Sequence, residues 1–279
     1  MRVEPPGSSN LSRRMPDPSL QDLLNVAIDA AYAAGRRTLA YFNTRVAVET
    51  KADNTPVTCA DREAEEMIRA TILRKFPTHA ILGEEGGIHE GSDQRYRWII
   101  DPIDGTKSFI CGVPLYGVLI GIEVNGKSEV GVCYLPALDE MVAGASGLGC
   151  KWNGRTARVS SVDKLRDAVV SSTSIVTALQ RSDAFEKIVS RAKIVRGWGD
   201  CYGHVLAATG RIDVMLDPRM NPWDAAPFMP IYAEAGGHYT SWKGEPTIWG
   251  PDGVGTNAAL HREVIEILKG ESLSPGWKK

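Results

Sequence analysis

The chain has 279 residues, 43% hydrophobic and 24% charged, a composition that excludes a mostly disordered protein. Its 32 Lys and Arg stand against 34 Asp and Glu, so the net charge of −2 provides no electrostatic footprint for nucleic acid or an anionic membrane. No stretch approaches the roughly 18–20 apolar residues of a membrane span, and any phosphorylated ligand must be held by local groups.

Residues 1–18, MRVEPPGSSNLSRRMPDP, lack the apolar core of a signal peptide. Arg2, Arg13, Arg14 and the serines hint at a transit peptide, but Glu4 and the prolines oppose an amphipathic helix. The segment reads as a tail, with Met15 as an alternative start and the cytoplasm as the location. Five cysteines without a Cys-x-x-Cys pair read as reduced, buried thiols rather than disulfides or a zinc site.

The spacing predicts a first helix capped by Ser19-x-x-Asp22 and running through Leu23, Leu24, Ala27, Ile28 and Ala31 toward Leu39. A second is expected over 61–75, with Pro77 as its stop. Strands are expected at 116–124 and 127–134 around Asn125-Gly126, a type I′ turn signal, and another ahead of Asn153-Gly154. After about residue 163 the elements alternate. Strands are predicted at 168–172, 194–196, 212–216 and 237–242, and helices at 183–191, 201–209, 224–234 and 261–268. The expected organisation is an N-terminal α+β layer (19–162) with helices on an antiparallel sheet, a C-terminal α/β layer (163–270) with a mixed sheet, and a tail at 271–279.

The most informative segment is Trp98-Ile99-Ile100-Asp101-Pro102-Ile103-Asp104-Gly105-Thr106. An apolar strand runs into two acids three residues apart; Pro102 is expected to end its ladder, and Gly105 permits a tight turn into a helix start. Carboxylates there can hold hard cations, and helix-start N–H groups can hold phosphate. The segment resembles the signature of the inositol monophosphatase-like family of Mg²⁺-dependent, lithium-sensitive phosphatases. Further matches follow in family order: Val57-Thr58-x-x-Asp61, Gly83-Glu84-Glu85, Pro222-Trp223-Asp224 and Glu234-Ala235-Gly236-Gly237. Read alone, Asp61, Asp200 and Asp224 would be helix N-caps, Glu84 an acidic turn and Lys51 a surface lysine.

The resemblance implies a layered αβαβα sugar-phosphatase fold and a homodimer. It also implies two or three Mg²⁺ ions per site, held by Glu84, Asp101, Asp104, Asp224 and the carbonyl of Ile103. Gly105 and Thr106 would bind phosphate, Thr106 and Asp61 would orient the attacking water, and Lys51 would support the acids. Metal-activated water would attack phosphorus directly, without a phosphoenzyme.

For the substrate, Gly197-x-Gly199-Asp200-Cys201-Tyr202-Gly203 resembles the histidinol-phosphate phosphatases of the family, where inositol phosphatases have a Gly-Ser-Ala-Ala-like stretch. Asp200 could pair with the ammonium of histidinol phosphate. Asp217, Arg219 and Asn221 are expected on the same rim. Inositol 1-phosphate is the alternative substrate, followed by a bisphosphate nucleotide or sugar phosphate. A dinucleotide-binding oxidoreductase fails because Gly197-x-Gly199 is followed by Tyr202 where the fingerprint needs glycine. A metal-binding scaffold without catalysis would need a degraded acid set, and the set is intact.

Overall fold

The computed structural model describes residues 17–52 and 55–270. The expected tails, apart from Asp17 and Pro18, and the start at Met15 lie outside the described residues. Asp17 is pinned: its carboxylate pairs with Arg95 at 2.6 Å.

In chain order, α1 (Leu20–Leu39) is followed by the hairpin β1 (Val48–Thr50) and β2 (Pro56–Thr58), then α2 (Cys59–Lys75). Strands β3 (His79–Gly83), β4 (Gly87–His89) and β5 (Asp93–Asp104) lead into the short α3 (Thr106–Ile110). The meander β6 (Gly117–Val124), β7 (Lys127–Leu135), β8 (Glu140–Ala145), β9 (Gly149–Trp152) and β10 (Arg155–Thr156) completes the first half. The second half runs β11 (Val169–Ser172), α4 (Ile175–Arg181), α5 (Asp183–Val189), β12 (Ile194–Arg196), α6 (Asp200–Ala208) and β13 (Val214–Asp217). It ends with α7 (Pro222–Ala225), α8 (Phe228–Ala235), β14 (Gly237–Thr240), β15 (Gly253–Asn257) and α9 (His261–Lys269).

Eight strands form one sheet in the order β10-β9-β8-β7-β6-β5-β3-β4. It departs from the expected all-antiparallel sheet at one place, because β3 pairs with β5 in parallel. The second sheet, β12-β11-β13-β15-β14, is mixed: β11 is parallel to β12 and β13, while β15 is antiparallel to both its neighbours.

Alternation along the strands of the large sheet sends residues to opposite faces. Trp98, Ile100, Val118 and Ile120 meet Leu23, Ala27, Ala31 and Ile68 of α1 and α2. Ile99, Leu119, Cys133 and Leu135 meet Cys201, Val205, Ala208, Phe228 and Ile231 of α6 and α8. On the far side of the small sheet, Val170, Val214 and Val254 pack on Phe185 and Ile188 of α5 and Val264 and Leu268 of α9. The layers therefore read α-β-α-β-α, as expected.

Asn125 (φ 54°) and Gly126 (φ 79°) both have the positive φ of a type I′ turn. Several expectations are corrected. The strand continues through Pro102: Asp101 pairs with Leu119 and Asp104 with Gly117, so two residues of β5 oppose one of β6 as a bulge. The helix expected over 224–234 is two, parted at Pro227, whose ring supplies no N–H to a continuous helix. Cys59 and Cys111 are exposed, so only Cys133, Cys150 and Cys201 are buried thiols.

Candidate active site

The bulge in β5 builds the site. In a regular strand, residues three apart point to opposite faces. One extra residue reverses that parity, so Asp101 and Asp104 share a side. Asp101 Oδ1 accepts the N–H of Ile103 at 2.9 Å, and the Thr106 hydroxyl donates to the Ile103 carbonyl at 3.0 Å, tying the bulge to the first residue of α3. Gly105 makes the turn with φ 82°, ψ 38°.

The third acid comes from the other half of the chain. Asp224 sits at the third position of α7, where its Oδ2 accepts the backbone N–H of Asn221 at 2.7 Å and the Asn221 side-chain amide at 3.2 Å. Asn221, not Asp224, is the N-cap, and Asn221 supports the acid without lining the cleft. Carboxylate oxygens of Asp101, Asp104 and Asp224 all lie within 4.8 Å of one another. Cys201 on α6 donates its N–H to Asp104.

Glu84 lies in the same cleft, carried by the parallel pairing of β3 on β5; its N–H donates to the Ile100 carbonyl at 3.1 Å. Lys51 donates to Glu84 Oε1 at 2.7 Å and also to Glu85, so the lysine does touch the acids. Glu65 on α2 holds this loop from behind. Its carboxylate accepts the N–H groups of Glu85 and Gly86, each at 2.8 Å, and pairs with Arg69 at 2.6 Å. A Cβ at Gly83 would stand 2.2 Å from Glu65 Oε1, which explains the glycine.

Asp61 is not the helix cap. Thr58 caps α2, and Asp61, three residues on, returns the bond: its Oδ2 accepts the Thr58 N–H at 2.8 Å and hydroxyl at 2.7 Å. It is buried and does not line the cleft.

Burial raises the acids. Asp101 and Asp104 are pushed well above the usual carboxylate range by loss of water and then by neighbouring negative charge: Glu84, Asp104 and Asp224 for the first, Asp200 and Asp224 for the second. Asp224 is pushed up to about 7 by burial, and Asp61 is also raised by burial. Burial lowers Lys51, but Glu84 and Glu85 raise it by more. Acids that disfavour one another's charge, with only oxygen side-chain donors converging, fit a hard cation rather than zinc or copper.

The cleft continues into a second cavity lined by Asp104, Asp200, Asp217, Arg219 and Asp224, together with Thr173 and His204. Asp200 is not an N-cap either. Gly199 holds that position, and Asp200 opens α6 with φ 52°, in the left-handed region that aspartate enters more readily than most residues. Its N–H donates to the Thr173 hydroxyl at 2.8 Å. Burial pushes its carboxyl up to about 6, with Asp217 adding to the rise and Lys107 opposing it.

Asp200, Asp217 and Arg219 thus come together, with Gly105 and Thr106 across the adjoining cleft. Two residues escaped the sequence reading. Glu65 lies four residues after Asp61, and His204 four after Asp200; helical i,i+4 spacing from an identified acid was the available signal.

A layered fold of this kind with an acid-lined cleft is that of a phosphomonoesterase. The chain belongs to the inositol monophosphatase family, whose description matches residues 19–272. It is 44% identical over 249 residues to the histidinol-phosphatase of Chlorobaculum parvum, covering 88% of this chain and 96% of that one. It is 38% identical to the histidinol-phosphatase of Mycobacterium tuberculosis, covering 79% and 87%. The solved inositol monophosphatase of Anabaena (Nostoc) superposes with a TM-score of 0.79 at 31% identity, covering 92% and 99%. No helix among the described residues is long and apolar enough to cross a membrane.

Proposed function

We propose that the protein is a Mg²⁺-dependent histidinol phosphatase that converts L-histidinol phosphate and water to L-histidinol and phosphate. The observation that carries the substrate is the placement of Asp200 and Asp217 in the cavity that adjoins the Asp101–Asp104–Asp224 group. A phosphate held at the acids would leave its leaving group in that cavity. Two carboxylates there suit an ammonium and an imidazole better than the hydroxyls of inositol. The two histidinol-phosphatase relatives support the same reading.

Glu84, Asp101, Asp104, Asp224 and the Ile103 carbonyl would hold the Mg²⁺ ions, two or three per site. When bound, these ions supply charge neutralisation for the phosphate and acidity for the attacking water. The backbone N–H groups of Gly105 and Thr106 bind phosphate oxygens at the start of α3. Thr106 lines the cleft and Asp61 does not, so the hydroxyl takes the direct contact with the water and Asp61 stands behind it. Lys51 restrains Glu84 and Glu85. Asp217 and Arg219 form the rim for the leaving group, and Asn221 acts through Asp224.

The reading includes two layers, 19–162 and 163–270, sharing one site. It also includes a cytoplasmic location, on the unpaired cysteines, and a homodimer, on the family resemblance. The second reading, an inositol-1-monophosphatase, is favoured by the likeness to the Anabaena structure. Turnover of L-histidinol phosphate and of inositol 1-phosphate, each with Mg²⁺, separates the two. A preference of at least tenfold in kcat/KM for L-histidinol phosphate is expected, with activity lost in excess EDTA. Preference for inositol 1-phosphate would overturn the substrate, and full activity in EDTA would overturn the metal.

A further inference from the structure

The far end of the second cavity holds a chain of polar side chains that the phosphate chemistry does not use. His204 on α6 is 1% exposed. Its Nε2 lies 2.7 Å from Asp217 Oδ2, at the end of β13, and its Nδ1 lies 3.2 Å from the Tyr232 hydroxyl on α8. The ring stacks on Phe228 (centroids 4.5 Å apart, planes at 26°) and meets Tyr232 edge-on.

A carboxylate only accepts, so Nε2 carries a proton and donates to Asp217; Nδ1 faces the Tyr232 hydroxyl, which also reaches the His204 carbonyl at 3.4 Å. Both ring nitrogens are engaged by the protein, and packing fixes the plane. The Nε2–H bond locks one oxygen of Asp217.

The other oxygen is different. Asp217 is 2% exposed, and its Oδ1 has no hydrogen-bond partner among the described residues. A buried carboxylate oxygen without a donor is costly, and native proteins rarely leave one without a purpose. Asp217 and His204 both line the cavity that opens beside Asp224. A donor for Oδ1 can enter from that cavity.

We propose that His204 is a positioning residue for substrate selection. It holds Asp217 by Oδ2 and leaves Oδ1 to accept an N–H from a phosphate ester that carries a primary ammonium. This inference rests on the histidinol phosphate reading and adds the residue that makes the acid selective. His204 touches no reacting atom, so its removal acts on KM for the aminated ester and spares kcat.

The test is steady-state kinetics of the full chain with Mg²⁺ on two esters, L-histidinol phosphate and the amine-free 2-phosphoglycerol. His204→Phe keeps a flat ring and loses the donor. It is expected to raise KM for L-histidinol phosphate tenfold or more, with kcat changed less than threefold and KM for 2-phosphoglycerol unchanged. His204→Gln, whose amide can donate from near the place of Nε2, should recover most of the loss. Tyr232→Phe, a second variant that keeps the packing, should shift KM in the same direction by less. Equal losses on both esters, a fall confined to kcat, or no effect of any variant would overturn the role of His204 alone. A wild-type preference for inositol 1-phosphate over L-histidinol phosphate, read in the same assays, would overturn the substrate reading and this inference with it.

Discussion

Glu65 accepts the backbone N–H of Glu85 at 2.8 Å, so a buried side chain of α2 sets the position of the loop that carries Glu84. A second bond to Gly86 and the pair with Arg69 fix the carboxylate at both oxygens. Removing an outer support of a metal ligand commonly costs 10–100-fold in metal affinity. Glu65→Ala should therefore weaken Mg²⁺ activation by about that factor, with kcat at saturating Mg²⁺ falling much less. A Mg²⁺ titration of activity checks it; an unchanged half-saturation point would show that the loop holds itself.

Asp224 is pushed up to about 7 by burial, against roughly 3.9 for an unfolded aspartate. A raised folded-state value means that, without a cation, its ionisation opposes folding increasingly as pH rises from about 4 to 7. Asp224→Asn removes that opposition and one cation donor. In EDTA at pH 7.5 the variant should melt at or above the wild-type temperature. Turnover should fall by at least 10³-fold, and the Tm rise that Mg²⁺ gives the wild type should shrink. Scanning calorimetry with and without Mg²⁺, beside an activity assay, tests all three. A variant that melts lower than wild type in EDTA would show Asp224 to be a structural cap first.

The large and small layers meet where β7 crosses the start of α8. A Cβ placed on Gly131 would stand 1.9 Å from the Pro227 carbonyl oxygen, and one on Gly121 would stand 2.4 Å from the Ala226 side chain. Backbone cannot yield there as a flexible side-chain end would. Gly131→Ala should destabilise by about 1–3 kcal/mol or more, the range for overpacking. Because Pro227 lies two residues beyond the end of α7, the shift should also displace Asp224 and lower kcat/KM. Urea denaturation and kinetics on one sample measure both; a stability loss without a kinetic loss would uncouple the layers.

Much of this site was legible from spacing, because chemistry confines residue types. The acids at 84, 101, 104 and 224 each stand in a short motif that survives without knowledge of the fold. What escaped was parity and support. Nothing local reveals that Pro102 sits in a bulge, since the bulge is defined by Gly117–Leu119 on the neighbouring strand. The strand Gly253–Asn257 was missed because Gly-Val-Gly-Thr-Asn has little strand propensity; it is formed by pairing on both sides, with β13 and β14. The true caps, Thr58, Gly199 and Asn221, stand one to three residues before Asp61, Asp200 and Asp224; at 61 and 224 the sequence misleads because a carboxylate at the third helical position completes a capping box as readily as one at the cap begins it.

The division near residue 163 leads to a prediction about folding. The middle core mixes Ile99, Leu119 and Leu135 from the first half with Val205, Phe228 and Ile231 from the second. Neither half can bury its inner face alone. Residues 19–162 and 163–270 expressed separately should each show exposed apolar surface by dye binding, without a cooperative melt, while mixing them should restore some Mg²⁺-dependent activity. A cooperative melt of either half alone would show two independent domains.

His79 is predicted to make the fold acid-sensitive. It is 3% exposed, stacked between Phe76 and Tyr96 at 4.7 and 4.3 Å, and its Nδ1 accepts the Trp98 indole N–H at 3.0 Å. Burial lowers its pKa to about 4, and accepting that bond requires an unprotonated Nδ1. The sign follows: above the unfolded value of about 6.5 neither state binds the proton, and no stability is lost. As pH falls from about 6.5 to 4 the unfolded chain takes up a proton that the folded chain refuses, so stability drops through that window and levels off below it. His261, also lowered to about 4 by burial, adds a loss of the same sign. The buried acids titrate with the opposite sign, so the comparison must be with a variant. His79→Gln should lose about 1–3 kcal/mol less than wild type between pH 6.5 and 4, as expected for a buried histidine kept neutral. It should start from lower stability if its amide fails to accept the indole N–H. Denaturant melts across pH give the difference, and an NMR titration of the His79 ring near 6.5 instead of near 4 would refute it.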